Sequence, residues 1–200
     1  MHCLRTYQPL WCLAALLVLL VAGPDAQAQE RLDKRLFYRV YEIETPGFAW
    51  AMHATDLSVF PLLTGGTGAV WLMAWHRDED DIRRAAYRLT ASQAGALAVA
   101  LGLKYTVRRT RPYKRFADVE VRGADVARFD PYSFPSAHAV LAFALATSAS
   151  LSHPRWYVLV PGYVWAASVG VSRVWLGTHY PGDVLAGAVL GAAVATGLHL

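Results

Sequence analysis

The residues best suited to chemistry lie in one short stretch, residues 172–183. Arg173, His179 and Asp183 stand there among mostly apolar or small neighbours. Asp183 follows His179 by four positions, across a Pro-Gly break, so its carboxylate can reach back to the imidazole. A carboxylate on one ring nitrogen fixes the tautomer and leaves the other nitrogen free to attack or to bind a metal. Arg173 adds a permanent planar cation suited to a phosphate. Taken alone, the stretch fits equally well a catalytic arrangement and a plain one, in which His179 is a loop residue and Asp183 is the N-cap of the next helix.

A second polar cluster, residues 104–112, ends an apolar segment. Lys104 and Arg111 are seven positions apart, which places them on one face of a helix. Residues 104–130 hold eight Lys or Arg and four Asp or Glu, a surplus equal to the net charge of +4 of the whole chain. Cations at a helix end commonly satisfy the helix dipole or reach lipid headgroups. That explanation is sufficient for four of these cations, namely Arg108, Arg109, Lys114 and Arg115.

The third cluster, residues 134–138, opens another apolar segment. Ser136 is a natural N-cap, and a helix N-terminus attracts anions. His138 follows in the first turn, beside any phosphate bound there. If the apolar segments alternate in direction, all three clusters fall at the same end of a bundle. Convergent Lys, Arg, Ser, His and Asp side chains without a cage of carboxylates predict a phosphoryl-transfer site that needs no metal.

The elements that must position these clusters are apolar and helix-like. Uncharged runs cover 57–75, 89–103, 139–152, 156–172 and most of 184–200, with a polar turn over 76–84. They show no alternation typical of strands, so we expect an all-α bundle of five core helices. The last segment carries Gly187 and Gly191, a spacing that lets helices approach closely.

Composition favours a membrane bundle. The chain is 55% hydrophobic and 17% charged, with seven Trp and ten Tyr, and such aromatics favour bilayer interfaces. Several segments have only 14 to 17 residues, which is short for a span of about 20. A soluble helical bundle therefore remains the alternative. Cys3 and Cys12 are the only cysteines, so the rest of the chain has neither a disulfide framework nor a Cys-based metal site.

The N-terminus resembles a secretory signal. Arg5 precedes an apolar run over 10–22, and Ala26-Gln-Ala28 follows a Gly-Pro break. We expect a signal peptide, residues 1–28, cleaved after Ala28; an uncleaved first membrane helix is the alternative. Either places the following chain outside the cytoplasm, although the outer loops then carry more Lys and Arg than the positive-inside rule favours. Residues 29–56 form a charged amphipathic segment, with Leu32, Leu36, Phe37, Val40 and Tyr41 at helical spacing.

At the three clusters the chain resembles the type 2 phosphatidic acid phosphatase (PAP2) superfamily. That family has the signatures Lys-x6-Arg-Pro, Pro-Ser-Gly-His and Ser-Arg-x5-His-x3-Asp. The residues that match them are Lys104, Arg111 and Pro112; Pro135, Ser136 and His138; and Ser172, Arg173, His179 and Asp183. Ala137 replaces the glycine of the second signature; it keeps the backbone N–H that would bind phosphate, but it tolerates a positive φ less well.

The resemblance implies a PAP2/haloperoxidase-like helical domain over residues 57–200 and a metal-independent phosphatase. His179 would be the nucleophile that forms a phosphohistidine, and Asp183 would orient it. His138 would be the general acid. The phosphoryl oxygens would be bound by Lys104, Arg111, Arg173, Ser136 and the amide of Ala137. The residues alone do not decide which histidine attacks, although Asp183 at the fourth position favours His179.

We therefore expect a membrane enzyme that hydrolyses a lipid phosphate or diphosphate. Undecaprenyl diphosphate, phosphatidic acid, phosphatidylglycerol phosphate and lipid A phosphate all fit. It would use no cofactor, bind no nucleic acid and act at the outer face of a bacterial cytoplasmic membrane. The alternatives are a soluble secreted acid phosphatase or phosphotransferase, a vanadate-dependent haloperoxidase, which the small size disfavours, and a non-enzymatic membrane scaffold or transporter.

Overall fold

The computed structural model describes residues 26–123 and 131–200, and this part of the chain is a bundle of helices. Its elements are α1 (Ala26–Tyr41), α2 (Pro46–Pro61), a π-helical segment (Leu62–Gly66), α3 (Thr67–Arg77), α4 (Asp80–Val107), the short α5 (Pro112–Arg115), α6 (Ala137–Ser152), α7 (Trp156–Trp175) and α8 (Pro181–Gly197). A single antiparallel bridge, between Thr110 and Tyr132, ties the loop after α4 to the segment before α6.

The predicted all-α bundle of five core helices is confirmed. The α2–π–α3 run forms one continuous helix, and α4, α6, α7 and α8 supply the other four. Helix α6 lies at the centre, in contact with α4, α7 and α8. Its buried positions are mainly Ala, Val and Ser, so the neighbouring helices approach closely. A central helix that starts at Ser136 therefore holds the second polar cluster in the middle of one end of the bundle.

The polar turn predicted over 76–84 is shorter than expected. Only Asp78 and Glu79 connect α3 to α4, which begins at Asp80. Asp80 and Asp81 lie in the first turn of α4, where carboxylates interact favourably with the helix dipole. Arg83 reaches back to Asp78, with 2.6 Å between Nη2 and Oδ1. The prediction was wrong because charged residues that begin a helix resemble a loop when only hydropathy is considered.

The charged segment near the N-terminus is helical, as expected, but it buries a different face. Phe37 and Tyr41 pack against the bundle, while Leu32 and Leu36 are exposed. Asp33 is only 7% exposed and takes the inner position that an apolar residue was expected to fill. Residues 1–25 of the predicted signal peptide, residues 1–28, lie outside the described residues, and its cleavage after Ala28 stays a prediction.

One helix within the described ranges is long and apolar enough to cross a membrane. It is the 32-residue run Pro46–Arg77, and only 17% of its most apolar window is buried in the protein. Helices α6 and α8 are apolar but shorter. The low burial of the Pro46–Arg77 run contrasts with a core helix of a soluble protein, whose apolar side chains are mostly covered.

Two glycines allow α8 to contact α6 backbone to backbone. A Cβ on Gly187 would lie 2.8 Å from the carbonyl oxygen of Ser136, and one on Gly191 would lie 2.1 Å from that of Val140. These distances are shorter than any side chain accepts. The close approach expected from the spacing of Gly187 and Gly191 is therefore confirmed, and α6 is the partner.

We predict that Gly191→Ala destabilises the protein by roughly 1–3 kcal/mol or more, because the added methyl group must push α8 away from Val140. Thermal unfolding of the purified protein would measure the loss. The matched control is Gly102→Ala in α4, where an added Cβ meets nothing within 4 Å; it should be neutral or stabilise by up to about 1 kcal/mol. Equal unfolding temperatures for the two variants would contradict the packing argument.

Candidate active site

The structure brings the three polar clusters together at one end of the bundle. Each site residue lies at or next to the end of a helix. Lys104 is in the last turn of α4, Arg111 is the N-cap of α5, Ser136 is the N-cap of α6, and His138 is in the first turn of α6. Arg173 is in the last turn of α7, His179 is in the loop that follows, and Asp183 is in the first turn of α8. Lys104, Arg111 and Arg173 act electrostatically on both histidines, so these five side chains form one site.

His179 is buried and its tautomer follows from its two neighbours. Its Nδ1 lies 2.7 Å from the backbone oxygen of Ser133, which can only accept a hydrogen bond. Its Nε2 lies 3.3 Å from Nη1 of Arg111, which can only donate. The proton therefore sits on Nδ1, and the Nε2 lone pair points toward the guanidinium group of Arg111. A phosphate bound by Arg111 would lie next to that lone pair.

Burial keeps this imidazole neutral. Loss of solvation lowers the pKa of His179 well below its usual range, and the nearby cations Arg111, Arg173 and Lys104 lower it further. The hydrogen bond to Ser133 acts in the opposite direction but is a smaller influence. A neutral imidazole with an unprotonated Nε2 is the nucleophilic form of histidine.

Asp183 is near His179, but its hydrogen bonds go elsewhere. Its Oδ2 lies 3.8 Å from Nδ1 of His179, which is too long for a hydrogen bond. That oxygen instead accepts from the hydroxyl of Ser133 at 2.8 Å and from the amide of Tyr180 at 2.9 Å. The direct bond expected from the i+4 spacing is thus replaced by a link through Ser133. Asp183 also closes a capping box with Tyr180, as the third residue of α8 and not as its N-cap.

Arg173 is held by a carboxylate that the sequence did not single out. Its Nη1 donates to Oδ1 of Asp56, in α2, and the two form an ion pair with little exposure on the Arg173 side. Among the described residues, its Nε–H is buried without a hydrogen-bond acceptor. An unpaired buried donor is costly, and an anion at this site would satisfy it.

Lys104 and Arg111 are buried cations attached to the surrounding backbone. Nζ of Lys104 donates to the carbonyl of Tyr132 at 2.9 Å, and Nη1 of Arg111 donates to that of Thr178 at 3.1 Å. The exposed fractions are 1% for Lys104 and 3% for Arg111. Two cations held in place by the backbone at this depth are suited to binding the oxygens of a phosphate.

The start of α6 forms the other wall of the site. Ser136 is fully buried, and its hydroxyl accepts weakly from the amide of Ala139, at 3.5 Å. Ala137 is the first residue of α6. Among the described residues other than glycine, positive φ is confined to Asp78 and Arg108, so the conformation that made alanine a concern is not adopted. His138 contacts the ring of Phe60 edge to face, with 5.7 Å between centroids.

Four residues near the site were not among the predicted ones: Asp33, Asp56, Arg109 and Ser133. Arg109 was assigned to the helix dipole or the membrane surface, yet it donates to Asp183 at 2.7 Å and to Asp33 at 2.6 Å. Ser133 stands two residues before the second signature, so attention to the flanks could have found it. Within the described ranges, no group of three or more His, Cys, Asp or Glu could hold a metal ion.

The chain is similar to several proteins named as phosphatases of lipid compounds. The chain is 33% identical over 105 residues to an undecaprenyl-diphosphatase of Sulfolobus acidocaldarius, covering 50% of this chain and 47% of that protein. It is 40% identical over 101 residues to a decaprenylphosphoryl-5-phosphoribose phosphatase of Mycobacterium tuberculosis, covering 50% and 51%. The chain thus spans about half the length of these relatives.

The fold is similar to that of a solved membrane enzyme. The crystal structure of a transmembrane PAP2 type phosphatidylglycerolphosphate phosphatase from Bacillus subtilis superposes with a TM-score of 0.76, at 24% identity, over 96% of this chain and 94% of that one. The sequence profile of the PAP2 superfamily matches residues 85–200, which is more than half of the chain and a range that contains all three polar clusters. This chain belongs to the PAP2 superfamily.

Proposed function

We propose that this protein is a membrane phosphatase that transfers the phosphoryl group of a lipid phosphate or diphosphate to His179 and then to water, without a metal. The observation that carries the proposal is the state of His179: a buried, neutral imidazole whose Nε2 lone pair faces Arg111 at 3.3 Å. A nucleophile beside fixed cations is the arrangement that phosphoryl transfer requires.

In the first step, Nε2 of His179 attacks phosphorus. A P–N bond forms while the bond from phosphorus to the leaving oxygen breaks. The negative charge of the bound phosphate favours the protonated form of His138, which gives its proton to that oxygen. Lys104, Arg111 and Arg173 bind the non-bridging oxygens, whose charge the transition state redistributes, and the Nε–H of Arg173 acquires an acceptor. The amides of Ala137 and His138, at the N-terminus of α6, complete the phosphate cradle.

In the second step, water releases the phosphate. His138, now deprotonated, removes a proton from the water as its oxygen attacks phosphorus, and the P–N bond breaks with its electrons returning to Nε2. Phosphate leaves and the neutral tautomer of His179 is restored. Throughout, the backbone of Ser133 holds Nδ1–H, and the Asp183 carboxylate 3.8 Å away stabilises the positive charge on the phosphorylated ring.

Apolar surfaces next to the site favour a lipid substrate. A groove of about 520 Å³ runs between α1, α7 and the start of α8, directly after the His179 loop. Its walls are almost entirely apolar and include Leu36, Val40, Phe143, Val174, Val184 and Leu185. On the His138 side, Phe60 is 58% exposed. A hydrocarbon chain could lie along such a surface while the headgroup reaches the cations. Because both curated relatives named above act on polyprenyl compounds by name, polyprenyl diphosphates and phosphates are the first substrates to test.

Exposed aromatic residues support a position across the membrane. Trp50 near the start of α2 and Trp75 near the end of α3 are 75% and 84% exposed. At 1.5 Å per residue they lie about 37 Å apart along the helix, close to the distance between the two interfaces of a bilayer. Trp156, 77% exposed at the start of α7, fits the same interface as Trp75. With the N-terminus outside, the active site faces the outer side of a bacterial cytoplasmic membrane.

We predict that His179→Ala lowers kcat on polyprenyl diphosphate by at least about 10³-fold, because no other group supplies the nucleophile. Phosphate release by detergent-purified protein in EDTA measures this. Acid quenching should also trap a labelled phosphoenzyme in the wild type but not in the variant. His153→Ala is the control, since that exposed histidine bonds only Tyr157 by its side chain. Full activity in His179→Ala, or loss of wild-type activity in EDTA, would contradict the mechanism.

The pH profile should respond to charge beside His179. Its pKa is lowered by burial and by Arg111, so the neutral, reactive form prevails above that lowered value. Removing the cation in Arg111→Met raises the pKa of His179, and the acidic limb of kcat/KM should move to higher pH by about one pH unit. Lys114→Met removes an exposed cation outside the site and should leave the limb in place. Identical limbs in wild type and Arg111→Met would refute this assignment.

Membrane extraction should separate the integral form from a soluble one. We expect the expressed protein to stay in the pellet after alkaline carbonate washing and to dissolve only in detergent, because the apolar surface of the Pro46–Arg77 run needs a hydrocarbon environment. Release by alkali or salt alone would favour a soluble secreted acid phosphatase. Bromide oxidation after addition of vanadate would favour a haloperoxidase.

A further inference from the structure

Helix α1 carries a carboxylate on its buried face. Asp33, Phe37 and Tyr41 follow one another at intervals of four and so share one side of the helix. All three are buried, with exposed fractions of 7%, 0% and 9%. A carboxylate at such a position costs free energy unless it is paired and hydrogen-bonded. Its partners therefore indicate why it is there.

The partners of Asp33 belong to the active-site loops. Its Oδ2 accepts from Nη2 of Arg109 at 2.6 Å, and its Oδ1 accepts from the amide of Gly182 at 2.7 Å. The other arm of Arg109 donates to Oδ1 of Asp183 at 2.7 Å. The Arg109 guanidinium group also lies over the ring of Tyr180, 4.1 Å from its centroid. One arginine is thus held between two carboxylates and an aromatic face.

This bridge leads by short steps to His179. Asp183 accepts from the Ser133 hydroxyl at 2.8 Å, and the Ser133 carbonyl accepts from Nδ1 of His179 at 2.7 Å. The amide of Ser133 in turn donates to the carbonyl of Arg109 at 2.8 Å. Arg109 therefore contacts the residue that fixes the imidazole in two ways, through its backbone and through Asp183.

We propose that Asp33 is a positioning residue for the His179 nucleophile, acting through Arg109 and Asp183 to hold the Ser133 carbonyl and hence the Nδ1–H tautomer. The proposal rests on the function proposed above. Without the Asp33 charge, Arg109 keeps one carboxylate partner, a single acceptor oxygen remains for the two donors Arg109 and Gly182, and Asp183 is free to shift. Since a displacement of about 1 Å at a reacting group can cost about 10²-fold in rate, the effect falls on the chemical step.

A purely structural role for Asp33 makes a different prediction. Helix α1 has a second attachment, in which the ring of Phe37 packs near that of Tyr180, at 6.0 Å, and near that of Phe116, at 6.3 Å. This aromatic contact holds α1 on the bundle whether or not residue 33 is charged. If Asp33 only anchored α1, its loss would lower the unfolding temperature and leave kcat per folded molecule unchanged.

The test is Asp33→Asn, which keeps the shape and removes the charge. Its control is Glu30→Gln on the same helix, where Glu30 pairs with Arg115 at the surface and both are about half exposed. We expect Asp33→Asn to lower kcat about tenfold or more with KM changed less than twofold, and Glu30→Gln to change neither. Asp33→Glu, which keeps the charge but moves it, should fall between wild type and Asp33→Asn.

A second measurement does not depend on the substrate. The ring ¹⁵N chemical shifts of His179, assigned by difference from His179→Ala, should report the Nδ1–H tautomer in the wild type and a mixture of tautomers in Asp33→Asn. If the wild type releases no phosphate from any lipid, the proposed function fails while these shifts still test the positioning. Unchanged kcat and unchanged shifts in Asp33→Asn, or an equal fall in Glu30→Gln, overturn the proposal. If Asp33→Asn does not fold, the same criteria apply to Asp33→Glu.

Discussion

The active site depends on how closely α8 lies against α6. Only glycine fits where Gly187 faces the Ser136 carbonyl and Gly191 faces that of Val140. At this distance the amide of Ser136 donates to the Asp183 carbonyl, at 3.1 Å, so the first turns of the two helices are joined directly. One of these turns carries His138, and the other follows the His179 loop. If α6 and α8 lay farther apart, His138 and His179 would no longer belong to the same site.

The charged side chains near this contact are a group of cations and the carboxylates that pair with arginines. The cations Lys104, Arg111 and Arg173 surround His179. The nearby carboxylates pair with arginines: Asp56 pairs with Arg173, and both Asp183 and Asp33 pair with Arg109. These carboxylates hold the two arginines in place, and Oδ2 of Asp183 also lies 3.8 Å from Nδ1 of His179. A cluster of buried cations next to a neutral histidine is an electrostatic arrangement suited to binding a phosphate.

The sequence predicted the helices and the motif residues because both depend on local patterns. Uncharged runs of helical length locate the core, and the fixed spacing within residues 104–112 and 172–183 locates the cluster. Asp56 and Asp33 escaped prediction because their partners, Arg173 and Arg109, are 117 and 76 positions away. No local spacing encodes such a contact. An aspartate in a charged amphipathic helix also looks like a surface residue until a neighbouring loop covers it.

The hydrogen bond from His179 to residue 133 has a consequence for how this site can vary. The group that fixes the imidazole is a backbone carbonyl, and every amino acid has one. A substitution at position 133 can remove the hydroxyl that donates to Asp183. It cannot remove the backbone carbonyl that accepts from His179. The backbone of residue 133 therefore supplies the acceptor that selects the tautomer of the nucleophile. A substitution there would weaken the coupling to the carboxylate but leave the acceptor of the Nδ1 hydrogen bond in place.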